Sequence, residues 1–315
     1  MMAAERIGII GAGMAGLACA RALADAGHAP TILDKGRGIG GRLATRRTEA
    51  GYRFDHGAQF VTAGDAGFAA ALTQMCGAGS AGRWQDGSDR EHIVGVPGMN
   101  ALAKALAPGL DIRQAVEVAS LDAADGGWQL GVADETLAFD RVVIAVPAPQ
   151  AARLLGPEHP LTAEIGGVEI APCLTLMVAF DGDAPRPFIS RRDPADPIAW
   201  IAQDSTKPGR PDLACWVAQA GPDGSTEPLE LEREEIAARM LPMLCARRGA
   251  DPASVRYAAA HRWRYANVTK PLGRPFARDA AGSLYLCGDW CLDARVEAAW
   301  LSGAAAARDI LGAKR

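Results

Sequence analysis

The sequence has few aromatic residues, no long apolar run and no basic block. The last two absences argue against a membrane protein and against a nucleic-acid-binding protein. Phe, Trp and Tyr make up 6% of the 315 residues, although apolar types together reach 49%. No stretch approaches the ~20 apolar residues that a membrane helix needs, so we expect no membrane contact. The net charge is −4 and no basic block occurs, so we expect no nucleic-acid partner.

The cysteines also form no recognised motif, because no Cys-x-x-Cys pair occurs. The seven cysteines are Cys19, Cys76, Cys173, Cys215, Cys245, Cys287 and Cys291. This scatter suits neither a zinc site nor a disulfide framework, so we expect no metal and a cytoplasmic location. The apolar N-terminal segment has the composition of a signal peptide, but a strand, a turn and a helix explain the same residues better.

What the sequence does contain is a glycine-rich turn between a short strand and a helix near the N-terminus. Residues 6–10 predict a buried strand, and residues 17–27 predict a helix that ends at Gly27. Residues 30–33 predict a second strand, which ends on Asp34. This order is typical of the first unit of a dinucleotide-binding fold.

The residues of the turn have distinct tasks in binding a dinucleotide. The turn contains Gly11, Gly13, Met14, Ala15 and Gly16. Gly11 permits the tight bend, Gly13 lets a pyrophosphate approach the backbone, and Gly16 lets the helix pack closely on the strand. The free N–H groups at the start of the helix attract phosphates, and Asp34 can accept hydrogen bonds from ribose hydroxyls. We therefore predict a nucleotide site here.

The same glycine spacing recurs later without this context. Gly77, Gly79 and Gly82 match the pattern, but no strand precedes them and no helix follows. We therefore predict a flexible loop at this second copy.

A second glycine turn follows Asp34 and favours FAD over NAD. It contains Lys35, Gly41 and Arg42, and Arg42 can fork onto the pyrophosphate of a cofactor with a long polar middle. A solvent-exposed basic loop is the alternative. The succession of the two turns resembles the flavoprotein family of amine oxidases, phytoene desaturases and renalases. That resemblance implies FAD, and the absence of the Ser-Gly-Gly-Cys-Tyr context implies that the flavin is held non-covalently.

The C-terminal segment resembles the closing element of the same family. Residues 283–289 predict a strand that ends in Gly288 and Asp289, and an alanine-rich helix follows. In the family, the aspartate holds the ribityl-phosphate region and the start of the helix faces the flavin pyrimidine. The resemblance therefore implies that Gly288, Asp289 and Val296 bind the cofactor, with Val116 or Val118 near the adenine.

The chain between these ends predicts an α/β protein of two interleaved domains. We expect a Rossmann-type FAD-binding domain, of the glutathione-reductase-like kind, from residues 1–62, 95–160 and 272–315. An amine-oxidase-like substrate domain, made of a sheet and a helix, is expected from residues 63–94 and 161–271. The flavin should lie in the crevice between them.

Two further patterns lie inside these domains. Residues 112–121 and 127–133 alternate as two strands that should pair. Residues 230–247 predict an amphipathic helix. Its apolar stripe includes Leu231, Ile236, Met240 and Leu244.

Two motifs in the middle of the chain mark the expected flavin and substrate contacts. Residues 54–60 and 261–266 resemble segments of renalase-type flavoproteins. The resemblance implies that Gly57, Ala58 and Gln59 lie beside the flavin. Gln59 is also a candidate catalytic residue.

The second motif can be interpreted from its period as well. On a strand, His261, Trp263 and Tyr265 share one face, whereas Arg262 and Arg264 share the other. The first three would form a flat wall that stacks on a planar heterocycle, and we take them as candidate catalytic residues. The alternative is a core strand whose arginines face water.

The resemblance to renalase-type proteins implies an oxidase of dihydronicotinamide isomers, 2- or 6-dihydroNAD(P). Hydride would pass to flavin N5, β-NAD(P)+ would leave, and O2 would reoxidise the flavin and yield H2O2. This chemistry needs stacking, orientation and exclusion of water rather than a strong acid or base. One alternative is a flavin amine oxidase, for which Lys270 is the lysine nearest to the motif. Another is a non-catalytic flavin-binding redox module. A carotenoid-type desaturase would need an apolar channel that the sequence lacks.

Overall fold

The computed structural model describes residues 5–133 and 135–312, which form eighteen strands and eight helices. In chain order the strands are β1 (Ile7–Ile10), β2 (Thr31–Asp34), β3 (Thr45–Arg47), β4 (Arg53–Asp55), β5 (Ala81–Trp84), β6 (His92–Gly95), β7 (Asp111–Gln114), β8 (Val118–Ala124), β9 (Gly127–Val132), β10 (Glu135–Phe139), β11 (Arg141–Ile144), β12 (Glu169–Phe180), β13 (Ser190–Arg192), β14 (Trp200–Gln203), β15 (Ala214–Gln219), β16 (Val255–Lys270), β17 (Ala277–Arg278) and β18 (Leu284–Leu286). The helices are α1 (Met14–Asp25), α2 (Ala66–Gly77), α3 (Asn100–Leu106), α4 (Ala148–Leu155), α5 (Pro160–Ile165), α6 (Pro222–Thr226), α7 (Arg233–Arg248) and α8 (Val296–Gly312).

Six strands form the sheet that carries the glycine-rich turn, in the order β17-β18-β11-β1-β2-β7. Neighbouring strands are parallel, except that β17 runs antiparallel to β18. Strand β1 is buried throughout, because one face of the sheet packs on α1 and α8 and the other on β9 and α4. A strand that is covered on both faces is apolar along its whole length. The sequence of β1, Ile-Gly-Ile-Ile, fits this rule. The arrangement is the Rossmann-type fold that the sequence predicts.

The chain from β7 to β9 departs from the expected pair of strands. Strand β7 joins the edge of the six-stranded sheet beside β2. The backbone then turns at Ala115, whose φ is 57°, a left-handed conformation that interrupts a strand. Only β8, which starts at Val118, pairs with β9, and β10 completes this separate antiparallel sheet. The prediction of a continuous strand over 112–121 was therefore wrong.

Five antiparallel strands form a second large sheet, in the order β13-β14-β15-β12-β16. Helix α7 covers one of its faces. Of the predicted stripe, Ile236, Met240 and Leu244 are buried in a cluster with strand residues such as Leu176 and Trp216. Leu231 was wrongly placed on the helix: α7 begins only at Arg233, and Leu231 precedes it and is partly buried. A sheet with one long helix is the architecture expected for the middle of the chain.

The segment 63–94 contacts both sheets. Phe68 and Leu72 of α2 belong to the same buried cluster as Ile9 and Leu17 of the dinucleotide-binding unit. Strand β5 contacts the turn that follows β14 of the second large sheet. There the indole Nε1 of Trp84 donates a hydrogen bond to the Thr206 hydroxyl at 2.9 Å. The assignment of this segment to a substrate domain stays a prediction.

The second copy of the glycine pattern is not the loop that the sequence predicts, because Gly77 belongs to α2 and Gly82 belongs to β5. It begins at the end of α2, passes through a turn and ends inside β5, so it is not a strand-turn-helix unit. Within residues 5–133 and 135–312, no helix is long and apolar enough to cross a membrane.

Candidate active site

A cavity of about 1000 Å³ lies where the carboxyl ends of the parallel strands meet the second sheet. Its volume is at the upper end of the range for ligand pockets, ~300–1,000 Å³. Most of the predicted site residues line it, namely Gly11, Gly13, Met14, Ala15, Asp34, Lys35, Gly41, Arg42, Gly57, Ala58, Val116, His261, Trp263, Tyr265, Gly288, Asp289 and Val296. Two predicted residues, Gly16 and Gln59, do not line it.

The three glycines of the first turn differ in what a side chain would meet. Gly11 has a φ of 107°, and a Cβ atom there would lie 2.8 Å from the carbonyl oxygen of Ala145. A Cβ atom at Gly16 would overlap the carbonyl oxygen of Gly11, so this glycine serves packing and not contact with a ligand. A Cβ atom at Gly13 would meet nothing within 4 Å and would point into free space. The turn therefore leaves an open cradle for a pyrophosphate at the N-terminus of α1.

Asp34 is fixed by the backbone on both sides of its strand end. Its Oδ2 accepts a hydrogen bond from the Ala12 N–H at 2.6 Å, and its Oδ1 accepts one from the Gly36 N–H at 2.6 Å. Each oxygen keeps a second lone pair for a ribose hydroxyl. The Val116 N–H binds the carbonyl oxygen of Asp34 at 3.0 Å, which places Val116 beside the ribose end of the cavity.

Arg42 and Asp289 bring the two predicted cofactor segments together. The Arg42 guanidinium donates to both carboxylate oxygens of Asp289, over 2.7 and 2.5 Å, and its Nη1 also donates to the Ala266 carbonyl oxygen at 2.9 Å. A Cβ atom at Gly57 would overlap the Arg42 carbonyl oxygen, so the two backbones touch. The Ala58 N–H donates to that same oxygen at 2.9 Å. Arg42 thus lines the cavity and forms an ion pair with Asp289 there. Its contact with a pyrophosphate stays a prediction.

Gln59 is directed away from the cavity. Its Nε2 donates to the carbonyl oxygens of Asp55 and Gly57 at 2.5 and 3.1 Å, and its Oε1 accepts from Lys207 at 3.3 Å. Two other glutamines, Gln150 and Gln219, do line the cavity. The Nε2 of Gln219 donates to the Gly57 carbonyl oxygen at 2.7 Å. Gln219 ends β15, and no local pattern predicts that this strand end reaches the segment of Gly57 and Ala58.

A buried group of four charged residues lies behind Gly57 and Ala58. Lys207 Nζ lies 2.5 Å from Asp204 Oδ1 and 3.1 Å from Asp55 Oδ2, and all three side chains are fully buried. Arg210 pairs with the same two acids. Burial alone would raise the pKa of Asp55, but the charges of Lys207 and Arg210 outweigh it and lower that pKa. We refer to Asp55, Asp204, Lys207 and Arg210 as the buried charge cluster.

Three ring side chains, those of His56, His261 and Trp263, contact one another, and we refer to them as the ring wall. Of the three, His261 and Trp263 line the cavity. The His261 ring is tilted by 60° to that of Trp263, so the two do not form the flat surface that the sequence predicts. The His56 and Trp263 rings stack with centroids 5.4 Å apart, and His261 lies 4.3 Å from Trp263 and 4.7 Å from His56. The Trp263 indole N–H donates to the His56 carbonyl oxygen at 2.6 Å, which fixes the orientation of the ring. Burial lowers the pKa of His56 to about 4 and that of His261 to about 3. Both imidazoles are therefore neutral at pH 7.

Strand β16 contains an irregularity beside this wall. Trp263 pairs with Cys173 and Asn267 pairs with Ala171, so four steps along β16 face two steps along β12. The two additional residues break the alternation of faces. All seven residues from 261 to 267 line the cavity. The irregularity lies after Trp263, so it changes the facing of Arg264, whereas Arg262 pairs regularly with Leu174 and keeps the face opposite to His261.

Two cysteines near the site differ in their surroundings. Cys291 is fully buried and is not among the cavity residues, and burial raises the pKa of its thiol to about 12. Cys173 does line the cavity, and burial raises its pKa to about 11. Both are protonated at neutral pH, and non-covalent attachment of the flavin stays a prediction.

The fold and the site define a dinucleotide-binding enzyme of the flavoprotein class. Residues 9–75 match the NAD(P)-binding Rossmann-like domain, and residues 64–311 match the family model of flavin containing amine oxidoreductases. The second match covers well over half of the chain. The protein therefore belongs to the family of flavin-containing amine oxidoreductases, and it is an FAD-dependent oxidoreductase with a Rossmann-type fold.

Individual relatives match over short segments. The chain is 44% identical over 52 residues to 15-cis-phytoene desaturase of Synechococcus elongatus, which covers 16% of this chain and 11% of that protein. It is 49% identical over 45 residues to an L-amino-acid oxidase of Mus musculus, which covers 14% of this chain and 7% of the relative. These matches thus span about a tenth of the relatives' length.

Solved structures match over nearly the whole chain. A protein described as a protoporphyrinogen oxidase, from an Exiguobacterium species, has a TM-score of 0.78 at 15% identity, with 98% of this chain and 99% of that chain covered. Putrescine oxidase bound to putrescine has a TM-score of 0.70 at 13% identity, with 99% and 100% covered. At such low identity these similarities establish the fold alone.

Proposed function

We propose that the protein oxidises dihydronicotinamide isomers, 2- or 6-dihydroNAD(P), to β-NAD(P)+ with formation of H2O2. The observation that supports this proposal most is the ring wall of His56, His261 and Trp263. Its His261 and Trp263 rings are uncharged at pH 7 and line the cavity, as does Tyr265. A planar nicotinamide ring can stack against such a wall.

The reaction itself needs no ionised acid or base. The dihydronicotinamide gives up a hydride, and O2 with that hydride and one proton from solvent becomes H2O2, so that the oxidised pyridinium product remains. FAD bound in the cavity supplies the ring that accepts the hydride and passes the electrons to O2. The protein's part is to orient the substrate and to exclude water. The neutral state of His56 and His261 at pH 7 suits this part.

The ring wall is held rigidly enough to orient a substrate. The hydrogen bond from Trp263 to His56 ties β16 to the segment that carries Gly57 and Ala58. The side chain of Gln219 binds the Gly57 carbonyl oxygen from the other side. The backbone of His56 and Gly57 therefore fixes the position of the Trp263 ring, against which a substrate ring would stack.

An amine substrate is less well matched to the charges at the cavity. An ammonium group is favoured by a carboxylate that is free to pair with it. Within the described lining the acids are Asp34, Glu117 and Asp289, and each is already engaged. Asp34 binds backbone N–H groups, Asp289 binds Arg42, and Glu117 lies 3.6 Å from Lys35. Amine oxidation is nevertheless the alternative that the family match favours.

The lysine considered for an amine oxidase mechanism lies away from the cavity. Lys270 ends β16, is 63% exposed and pairs with Glu169 over 3.8 Å. Lys207 is buried in the charge cluster and does not line the cavity. Within the described lining the lysine is Lys35, at the ribose end.

Anaerobic mixing of the FAD-loaded protein with 6-dihydroNAD tests the proposal. We expect rapid loss of the visible flavin absorbance and one equivalent of β-NAD+, and on admission of O2 one equivalent of H2O2. Ordinary β-NADH and putrescine are the matched controls. Bleaching by amines alone would establish the amine oxidase alternative. If no donor of either class bleached the flavin, the protein would be a redox module without this activity.

A further inference from the structure

Two arginines lie at the cavity beside the ring wall. Arg262 and Arg264 both line the cavity, and both are hydrogen-bonded to residues 229–231. They are 26% and 44% exposed in their side chains, so they stand at its mouth. We propose that Arg262 and Arg264 form an anion subsite that binds the phosphate groups of the substrate. This proposal rests on the proposed function, because it assigns a role to the dinucleotide part of that substrate.

Arg262 is held in place without a strong charge partner. Its Nη1 donates to the Leu229 carbonyl oxygen at 2.6 Å and lies 3.4 Å from the Leu231 carbonyl oxygen. The nearest carboxylate, that of Glu230, is 4.0 Å away. Carbonyl contacts orient the guanidinium and leave its charge uncompensated. Phosphate is the kind of ligand that a guanidinium fork binds best.

Arg264 has a partner that an incoming anion can replace. It makes two hydrogen bonds to Glu230, of 2.6 and 2.9 Å. Glu230 is 72% exposed and is not among the cavity residues. Exposed ion pairs of this kind contribute little to stability. A doubly charged pyrophosphate can therefore take the place of Glu230 on Arg264 and pair with Arg262 as well.

The position of the pair fits a substrate whose ring lies on the wall. Trp263 is between the two arginines in the sequence, and its ring is fixed by its hydrogen bond to His56. The other arginine beside the flavin segment, Arg42, already pairs with Asp289. The positive charges of Arg262 and Arg264 therefore lie at the mouth of the cavity. The phosphates of a dinucleotide would lie there if its nicotinamide ring stacked on the ring wall.

Steady-state kinetics with two substrates that differ only in their phosphates test the subsite. The substrates are 6-dihydroNAD and the phosphate-free 6-dihydronicotinamide riboside. For the R262Q/R264Q double variant we expect KM for the dinucleotide to rise roughly tenfold or more, as loss of charge-assisted hydrogen bonds predicts, and KM for the riboside to change less than about twofold. Glu230→Gln should lower KM for the dinucleotide, because Arg264 loses its competing partner.

The same strand supplies a matched control. Arg256 makes two hydrogen bonds to Asp181, of 2.6 and 2.7 Å, at the other end of β16 and away from the cavity. Arg256→Gln removes one positive charge from another ion pair of β16 and should leave both KM values unchanged. An unchanged dinucleotide KM in R262Q/R264Q, with flavin absorbance retained, would overturn the subsite even if the enzyme oxidised both substrates.

Calorimetric titration with inorganic pyrophosphate separates the two proposals. The FAD-loaded protein should bind pyrophosphate, Arg256→Gln should bind it equally, and R262Q/R264Q should not. If no dihydronicotinamide isomer were oxidised but this pattern were found, the proposed function would fail and the anion subsite would stand. Absence of pyrophosphate binding to the unaltered protein would contradict the subsite whatever the substrate.

Discussion

The guanidinium of Arg42 donates two hydrogen bonds to the carboxylate of Asp289, with Nη1 2.7 Å from Oδ2 and Nη2 2.5 Å from Oδ1, although the two residues are 247 positions apart in the sequence. The Asp289 side chain is 7% exposed and that of Arg42 is 30% exposed. The pair joins the turn after β2 to the strand end after β18, and both segments line the cavity. We therefore expect the binding of FAD to depend on the packing of the C-terminal segment against the sheet, through this contact.

Removal of either partner should weaken FAD binding. Asp289→Ala leaves the Arg42 charge without its partner, and Arg42→Ala leaves a nearly buried carboxylate. We expect each variant to raise the Kd for FAD at least tenfold, which corresponds to about 1.4 kcal/mol. The double variant should be less impaired than the sum of the two, because each single change leaves a charge unpaired. Titration of apoprotein by flavin fluorescence measures all three, and additive losses would show that the two residues act independently.

The first turn offers two glycines with opposite expected responses. Gly13→Val places its side chain in free space, and the backbone at Gly13 is extended with φ −76°. This variant should fold but remain colourless, because the side chain fills the pyrophosphate cradle. Gly16→Ala should lose stability, by about 1–3 kcal/mol for an overpacked contact, since its Cβ overlaps the Gly11 carbonyl oxygen.

Absorbance spectra and thermal melting of the two purified variants distinguish the cases. A yellow, fully loaded Gly13→Val would mean that the cofactor does not approach this backbone. A Gly16→Ala protein as stable as the unaltered chain would mean that α1 and β1 can separate at no cost.

The N-terminal unit could be predicted from the sequence because its determinants are local. The strand, the turn, the helix and Asp34 lie within about thirty residues, and the glycine spacing follows from the contacts that Gly11 and Gly16 make. Residues at the other end of the chain, Asp289 and Val296, were placed by family likeness and not by period. They too line the cavity.

The parts that could not be predicted depend on pairing between distant segments. The register of β16 against β12 admits two additional residues after Trp263, and no local pattern in the sequence reports the partner strand. The period placed Arg262 on the face opposite to His261, where its regular pairing with Leu174 keeps it, but it could not report the irregularity that follows Trp263 and changes the facing of Arg264. Gln59 was assigned to the flavin by family likeness, but its amide is engaged by Lys207, which comes from a loop far along the chain.

The buried charge cluster should be the most sensitive site for stability outside the cavity. Lys207→Met leaves Asp55 and Asp204 with Arg210 alone, and loss of one partner in a buried ion pair costs about 3–5 kcal/mol. Urea unfolding at pH 7 measures this loss. Lys270→Met removes a lysine from an exposed pair and should change stability by less than about 0.5 kcal/mol. Equal effects of the two substitutions would contradict a structural role for the cluster.

The same cluster predicts a response to acid. The lowered pKa of Asp55 means that its contribution to stability is present above its unfolded pKa, 3.8, and is lost as the pH falls through the lower folded value. In Lys207→Met one of the two charges that lower this pKa is gone. The pKa of Asp55 should therefore rise, and acid unfolding should begin at a higher pH than in the unaltered protein. Unfolding midpoints between pH 3 and pH 6 test this order.

The two imidazoles of the ring wall predict a further dependence on pH. Burial lowers the pKa of His56 to about 4 and that of His261 to about 3, against 6.5 for an ordinary histidine. Between pH 6.5 and about pH 4 the unfolded chain therefore binds protons that the folded chain does not. Stability should be fully present above pH 6.5 and should fall as the pH decreases through this window.

Replacement of one ring isolates the effect. His261→Phe keeps a flat ring against Trp263 but removes one titrating group, so its stability should fall less steeply between pH 6.5 and pH 4. One proton accounts for at most about 1.4 kcal/mol per pH unit, and we expect about half of that because His261 is only partly buried. Urea midpoints at half-unit steps of pH measure the slope. If the slope of His261→Phe equalled that of the unaltered protein, His261 would titrate in the folded state as it does in the unfolded chain, and burial would not lower its pKa.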